Sequence, residues 1–261
     1  MLPTEPTPPV RGIAIPGPGR GEPRLWIAEI FHSLQGEGSL TGVPSIFVRT
    51  AGCNLRCRWC DTPYASWNPT GSWLTVAEII ARSQRLAGRG TRHVVLTGGE
   101  PMVARGIHDL AQAFRERDWH ITIETAGTKR PDGIACDLAS ISPKLSHATP
   151  HPGEASPGWI VRHESLRWQP GVIEEWILGG EYQLKFVIAT EEHFHEMETM
   201  LGTLGERGIP VRPWCVQVMP EGTVREILES RQSELLPLCK DRGYRYCERR
   251  HIHWFGNTPG T

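Results

Sequence analysis

No stretch of this 261-residue chain approaches the roughly 18 apolar residues that a membrane span needs. Neither sign of charge dominates. Lys and Arg number 28 against 29 Asp and Glu, a formal net charge of −1, which argues against a nucleic-acid binder relying on a broad basic surface. The first 24 residues have seven prolines and several glycines but no apolar core of the kind a signal peptide carries. Residues 1–24 therefore read as a disordered leader. Without an export signal, the seven cysteines fit a reducing cytoplasm better than a disulfide framework. No internal repeat is visible. What remains is 39% hydrophobic and 22% charged, which suits one domain over 25–261 of the size of a modified α/β barrel.

Three of the cysteines stand together, Cys53, Cys57 and Cys60, in the run Cys-Asn-Leu-Arg-Cys-Arg-Trp-Cys. Three thiolates this close can hold three corners of a [4Fe–4S] cluster, where four cysteines are the usual complement. The fourth iron is then open to an outside ligand, the property that separates a reactive metal centre from a structural one. A disulfide leaves one of the three odd. A zinc site needs a fourth ligand, and zinc motifs normally arrive as two spaced pairs. Cys136, Cys215, Cys239 and Cys247 are scattered and read as small core residues.

From Trp26 onward short apolar runs alternate with amphipathic stretches, the pattern of repeated βα units. Strands are predicted at 45–49, 93–96, 120–124, 134–138, 182–188 and 214–219. Helices are predicted from a capping box at Thr75–Glu78 to about Leu86, and over 106–117, 191–204 and 224–242. Residues 146–171, rich in Pro, Gly, Ser and His, read as a long loop. About six strands are too few for a closed eight-unit barrel, so the fold class is α/β, a partial, open (β/α)6 barrel. In such a barrel the loops after the strands form the reactive face, and each unusual motif follows a strand. The cysteine run follows the first. Thr97-Gly98-Gly99-Glu100-Pro101 follows the second, and adjacent glycines there let the backbone approach a ligand, although Gly-Gly alone is also a plain turn.

The cysteine spacing, with Trp59 before the last cysteine, resembles the signature of the radical S-adenosylmethionine (SAM) enzymes, and so does the Gly-Gly-Glu after a strand. Further segments resemble one family within them, the 7-carboxy-7-deazaguanine synthases. These are Glu29-Ile-Phe-His-Ser-Leu-Gln-Gly-Glu-Gly38 with Phe47-Val-Arg49 and Gly52, Cys60-Asp-Thr62 with Tyr64, and the set Glu124-Thr125-Gly127, Ser142-Pro-Lys144, Lys185-Phe-Val187 and Gln217-Val-Met-Pro220. The resemblance covers about residues 26–260. The proline-rich leader and the 146–171 segment depart from it and leave lid geometry and subunit contacts open.

The resemblance implies a carbon–nitrogen lyase that turns 6-carboxy-5,6,7,8-tetrahydropterin into 7-carboxy-7-deazaguanine with loss of ammonia. An adenosyl radical is expected to abstract hydrogen from C6 of the pterin, with SAM regenerated. It also implies that Cys53, Cys57 and Cys60 hold the cluster, and that Trp59, Asp61, Gly99, Glu124, Ser142, Pro143, Lys144 and Gln217 meet SAM. Leu34, Gln35, Gly36, Glu37, Arg49 and Thr97 meet the substrate, and Thr62 meets Mg²⁺. Physical arguments support some of these roles. The planar fork of Arg49 can clamp the substrate carboxylate by two hydrogen bonds, a surface ion pair being the plainer use. Gln35, Glu37 and the backbone of Leu34 and Gly36 match the donors and acceptors of a pterin edge, unless that loop is only a hairpin. Lys144 can neutralise the SAM carboxylate or be a solvated lysine. Mg²⁺ keeps several waters, so one hydroxyl suffices, though Thr62 also suits a cap. A reduced flavodoxin or ferredoxin as electron donor, a homodimer and a cytoplasmic location are expected with the family. Two rivals share the cysteines: another radical SAM enzyme, such as a glycyl-radical activase, and a non-catalytic Fe–S or zinc module for regulation or electron transfer.

Overall fold

A computed structural model describes residues 23–261. The predicted leader lies outside the described residues up to position 22, and Arg24, which that reading included, opens the first strand. The strands are β1 (Arg24–Leu34), β2 (Pro44–Thr50), β3 (Ser72–Thr75), β4 (His93–Gly98), β5 (His120–Thr125), β6 (Leu138–Ile141), β7 (Tyr182–Ile188), β8 (Val216–Pro220) and β9 (Arg245–Tyr246). The helices are α1 (Pro63–Ser66), α2 (Val76–Ala87), α3 (Ile107–Arg115), α4 (Pro157–Leu166), α5 (Pro170–Leu178), α6 (Glu191–Glu206), α7 (Arg225–Arg242) and α8 (Arg250–Phe255).

The described strands form one sheet in the order β3-β1-β2-β4-β5-β6-β7-β8-β9, with its two ends unjoined. From β2 to β8 every neighbouring pair is parallel and follows chain order, which is the expected open barrel of six βα strands. Parallel strands covered on both sides read as continuous apolar runs, and β7 is buried at every position. Ile46, Val48, Val94, Leu96, Ile121, Ile123, Leu184 and Phe186 join the faces of α2, α3, α5 and α6 in one core. The predicted capping box is formed: Glu78 N–H donates to Thr75 Oγ1 at 3.2 Å, and Thr75 N–H donates to Glu78 at 2.8 Å. Among the described residues no helix is long and apolar enough to cross a membrane.

Three expectations are corrected. The strand predicted at 134–138 runs instead from Leu138, because Asp137 anchors the preceding segment to the start of β5, its carboxylate accepting Ile121 N–H at 2.8 Å. Sequence reasoning missed β1, β3 and β9; β1 joins the first barrel strand antiparallel, and β3 in turn joins β1 antiparallel. The predicted 146–171 loop instead holds a short turn of helix at 146–148, all of α4 and the start of α5. Its prolines do not break these helices, because Pro157 and Pro170 occupy first turns, where no backbone donor is lost.

Candidate active site

Strand register pairs polar side chains along the parallel strands. Arg49 of β2 lies opposite Thr97 of β4, Glu124 of β5 opposite Ser140 of β6, and Lys185 of β7 opposite Gln217 of β8. Except for Gln217, all of them line a cavity of about 790 Å³ at the carboxyl ends of the strands, large enough for two small molecules side by side. The cavity also takes in Leu34 from the end of β1 and Gln35, Gly36 and Glu37 from the β1–β2 connection. Cys53, Cys57, Trp59, Cys60, Asp61 and Thr62 come from the loop after β2, Gly99 from the loop after β4, and Ser142 and Lys144 from the loop after β6.

The cysteine loop has the donor set of an open cluster. All three thiols line the cavity, and among the described residues none of the other four cysteines does. Burial holds the Cys53 and Cys57 thiols up at about 12, a condition that a bound iron cluster reverses by its own charge. Gly99 presses on this loop so tightly that a Cβ would lie 2.4 Å from Gly52 O and 2.8 Å from Cys53 Cβ. Beside the thiols, the buried Trp59 Nε1 has no partner among the described residues. Lys144 Nζ sits 5.6 Å over the Trp59 ring and donates to Ser142 Oγ at 2.8 Å, so this lysine is no solvated tail. Residues and cluster fit, and the cationic, aromatic wall beside them suits a SAM carboxylate and adenine.

In the same cavity, Arg49 Nε donates to Glu29 at 2.6 Å, and Tyr64 OH donates to the same oxygen at 2.8 Å. This ion pair fixes the stem of the guanidinium, and among the described residues nothing bonds its two terminal nitrogens, which suit a two-point bond to a carboxylate. The cavity also holds a chain of charges in which two buried cations, Lys185 and Arg249, join half-buried carboxylates. Lys185 donates to Glu37 at 3.0 Å and Glu124 at 3.2 Å. Arg249 donates to Glu37 at 3.1 Å, to Asp61, and to Gly222 O at 2.6 Å. Burial alone would raise the Glu37 carboxyl, but Lys185 and Arg249 outweigh it and hold it well below the usual range. Asp61 is likewise lowered, burial being overcome by Arg249.

Comparison with known proteins decides the family. Residues 47–147 match the radical SAM superfamily model. The chain is 43% identical to the 7-carboxy-7-deazaguanine synthase of Rhodopirellula baltica, over 94% of its own length and 93% of the relative's. The chain belongs to the 7-carboxy-7-deazaguanine synthase family. It is also 39% identical to the enzyme of that name from Halobacterium salinarum, over 93% of this chain and 95% of that one. The crystal structure of QueE from Escherichia coli shares the fold, with a TM-score of 0.61 at 23% identity over 87% of this chain and 95% of the other. Membership brings with it the radical SAM cofactors, a [4Fe–4S] cluster and S-adenosylmethionine.

Two residues carried over from the family signature stand apart from the cavity. Pro143 does not line it, and Gln217 is buried beneath it, its Nε2 donating to Gln183 Oε1 at 2.7 Å. Gln183 in turn donates to Ser140 and accepts Ser39 N–H at 2.9 Å, so this row holds up the 35–39 loop. That loop is both alternatives at once, a hairpin connection and a cavity wall.

Sequence reasoning gave no role to Lys185, Arg249 or the side chain of Glu100. A lysine inside the apolar run Tyr-Gln-Leu-Lys-Phe-Val-Ile was the available signal, since a charge there has to face something. Glu100 is fully buried and accepts from Thr125 Oγ1 and Ala126 N, each at 2.8 Å, and from Met102 N at 3.1 Å. It bolts the Gly-Gly loop to the loop after β5. Glu100→Ala, which strands three buried donors, is expected to lower unfolding stability by about 3 kcal/mol or more, read as a shift of the urea midpoint.

Proposed function

We propose that this chain converts 6-carboxy-5,6,7,8-tetrahydropterin to 7-carboxy-7-deazaguanine with release of ammonia. One observation carries the proposal. Among the described residues, a cavity lined by three cysteines and no fourth also holds an arginine pinned at its Nε, with its terminal nitrogens unpaired, in a chain of this family. Cys53, Cys57 and Cys60 hold the cluster, and Gly99, Ser142, Lys144, Trp59, Asp61 and Glu124 line the place for SAM. Pro143 and Gln217 shape that place from outside it. When bound, this pair of cofactors supplies one-electron cleavage to an adenosyl radical.

The residues of the chain do the rest. Arg49 takes the substrate carboxylate, and Thr62 holds Mg²⁺ beside it. Thr97, Gln35, Glu37 and the backbone of Leu34 and Gly36 meet the pterin edge. The enclosing walls keep water and other hydrogen donors from the radical. A reduced flavodoxin or ferredoxin delivers the electron, in a cytoplasm that keeps the thiols reduced, to a chain that works as a homodimer.

The test is anaerobic incubation with SAM, a reductant and the carboxytetrahydropterin, followed by chromatography of the products. The deazaguanine acid and ammonia are expected. Unchanged pterin together with a new protein-centred radical signal overturns the proposal in favour of a glycyl-radical activase. Arg49→Lys keeps the charge and loses the fork. It should raise KM about ten-fold, one charged hydrogen bond being about 1.5–3 kcal/mol, and lower kcat much less.

A further inference from the structure

The segment that departs from the family pattern lies directly on the cysteine loop. Two alternate backbone donors of that loop are taken by it: Arg56 N–H by His163 Nδ1 at 3.0 Å, and Arg58 N–H by Ala148 O at 3.0 Å. Their side chains are taken as well. The Arg56 guanidinium lies 3.7 Å over the Trp159 ring, and Arg58 Nε donates to Glu154 at 2.8 Å. The inner side of the same guanidinium donates to Cys53 O at 3.0 Å and Leu55 O at 2.7 Å, so Trp159 presses on a group that itself staples the loop.

His163 is the telling residue. It has no exposed surface, and because Nδ1 accepts, the ring proton is on Nε2, which has no partner among the described residues. A buried unpaired N–H is costly, and an aliphatic side chain would fill the space without that cost. The bond to the cysteine loop is what a histidine adds. Burial lowers the ring pKa to about 4, so the nitrogen is a free acceptor at neutral pH.

We infer that residues 148–163 form a clasp that sets the shape of the cluster-binding loop, with His163 as its positioning residue. The inference rests on the proposed cluster at Cys53, Cys57 and Cys60. Without the clasp, the backbone between Cys53 and Cys57 has alternative conformations, and each departure of a thiol from its iron opens the cluster to loss.

The experiment is anaerobic reconstitution of the full chain, then iron release to a chelator followed by the decay of cluster absorbance. His163→Leu fills the space but accepts no hydrogen bond, and iron should leave about ten-fold faster, the size of one backbone donor left unsatisfied. His163→Asn presents an oxygen in the place of Nδ1 and should release iron within about two-fold of wild type. Trp159→Ala, at the outer face, should speed release about three-fold, the size of one cation–π contact. It serves if the leucine variant does not fold. Melting of the metal-free proteins separates the clasp from general packing, since a purely structural histidine would lower the melting point and leave the release rate alone.

Equal release from wild type, His163→Leu and Trp159→Ala overturns the clasp while leaving the cluster in place. Failure of asparagine to rescue a leucine defect overturns the role of the Nδ1 bond. A wild-type chain that takes up no iron and sulfide overturns the inference together with the function on which it rests.

Discussion

Reconstituted Cys57→Ala is expected to retain no stable cluster and to form no deazaguanine product, whereas wild type binds about four irons. Two thiols, Cys53 and Cys60, remain in the variant, and among the described residues no other thiol lines the cavity to step in. Among the described residues Cys247 is the only other cysteine bonded to a cavity loop, and its Sγ accepts Gly38 N–H at 3.2 Å from outside the cavity. Cys215 and Cys239 are buried in the barrel core. The backbone carbonyl of Cys57 also accepts Trp67 Nε1–H at 3.0 Å, a bond that alanine keeps, so the loop's outline survives while its ligand is lost. Iron and sulfide analysis with anaerobic product assay reads both effects. Cys247→Ala is the control and should keep its iron. Retained turnover in Cys57→Ala would remove the cluster from the mechanism altogether.

The ease of reading this chain tracks how local each determinant is. The cysteine run is complete within eight residues, and the apolar runs of β4, β5 and β7 advertise strands because both of their faces are buried. The loop order around the site follows from those strands. Arg249 had no such advertisement. It follows a two-residue strand and meets Asp61 across 188 positions of chain, so only the closed tertiary structure brings them together. Helix α4 was hidden for another reason. Its first turn is Pro-Gly, and its single fully buried residue is the polar His163, so composition signals a loop and no apolar stripe contradicts it. Glu100 was visible as part of Gly-Gly-Glu, but that its partners are Thr125, Ala126 and Met102 depends on the neighbouring strand.

Arg249→Met should cost about 2–3 kcal/mol of unfolding stability at neutral pH, less than removing one partner from a fully buried ion pair, because Asp61 is half-buried and partly screened by water. Methionine fills most of the volume, so the loss is electrostatic. Glu37 keeps Lys185 as its counter-ion, at 3.0 Å. Asp61 keeps only the weaker attraction of Arg49, because Arg249 is the partner that both pairs with it and hydrogen-bonds it, and burial, the largest influence on this carboxyl, then outweighs what is left. The sign of the pH dependence follows. In wild type the folded Asp61 and Glu37 lie below their unfolded values. Their contribution is therefore present above the ordinary carboxylate range of about 4 and is lost as pH falls through the folded values.

In the variant the folded Asp61 lies above its unfolded value, so stability is lost as pH rises through that folded value and regained as pH falls. In urea unfolding from pH 7 to pH 5 both proteins lose stability, because His163 stays neutral in the fold while unfolded histidines take up protons, but the variant should lose less, so that its deficit against wild type narrows. Arg249→Lys restores one charge but not the three directions in which the guanidinium reaches Glu37, Asp61 and Gly222, and should fall between the two. A deficit in Arg249→Met that stays constant across this interval would mean that lost packing, and not a stranded carboxylate, is what the arginine prevents.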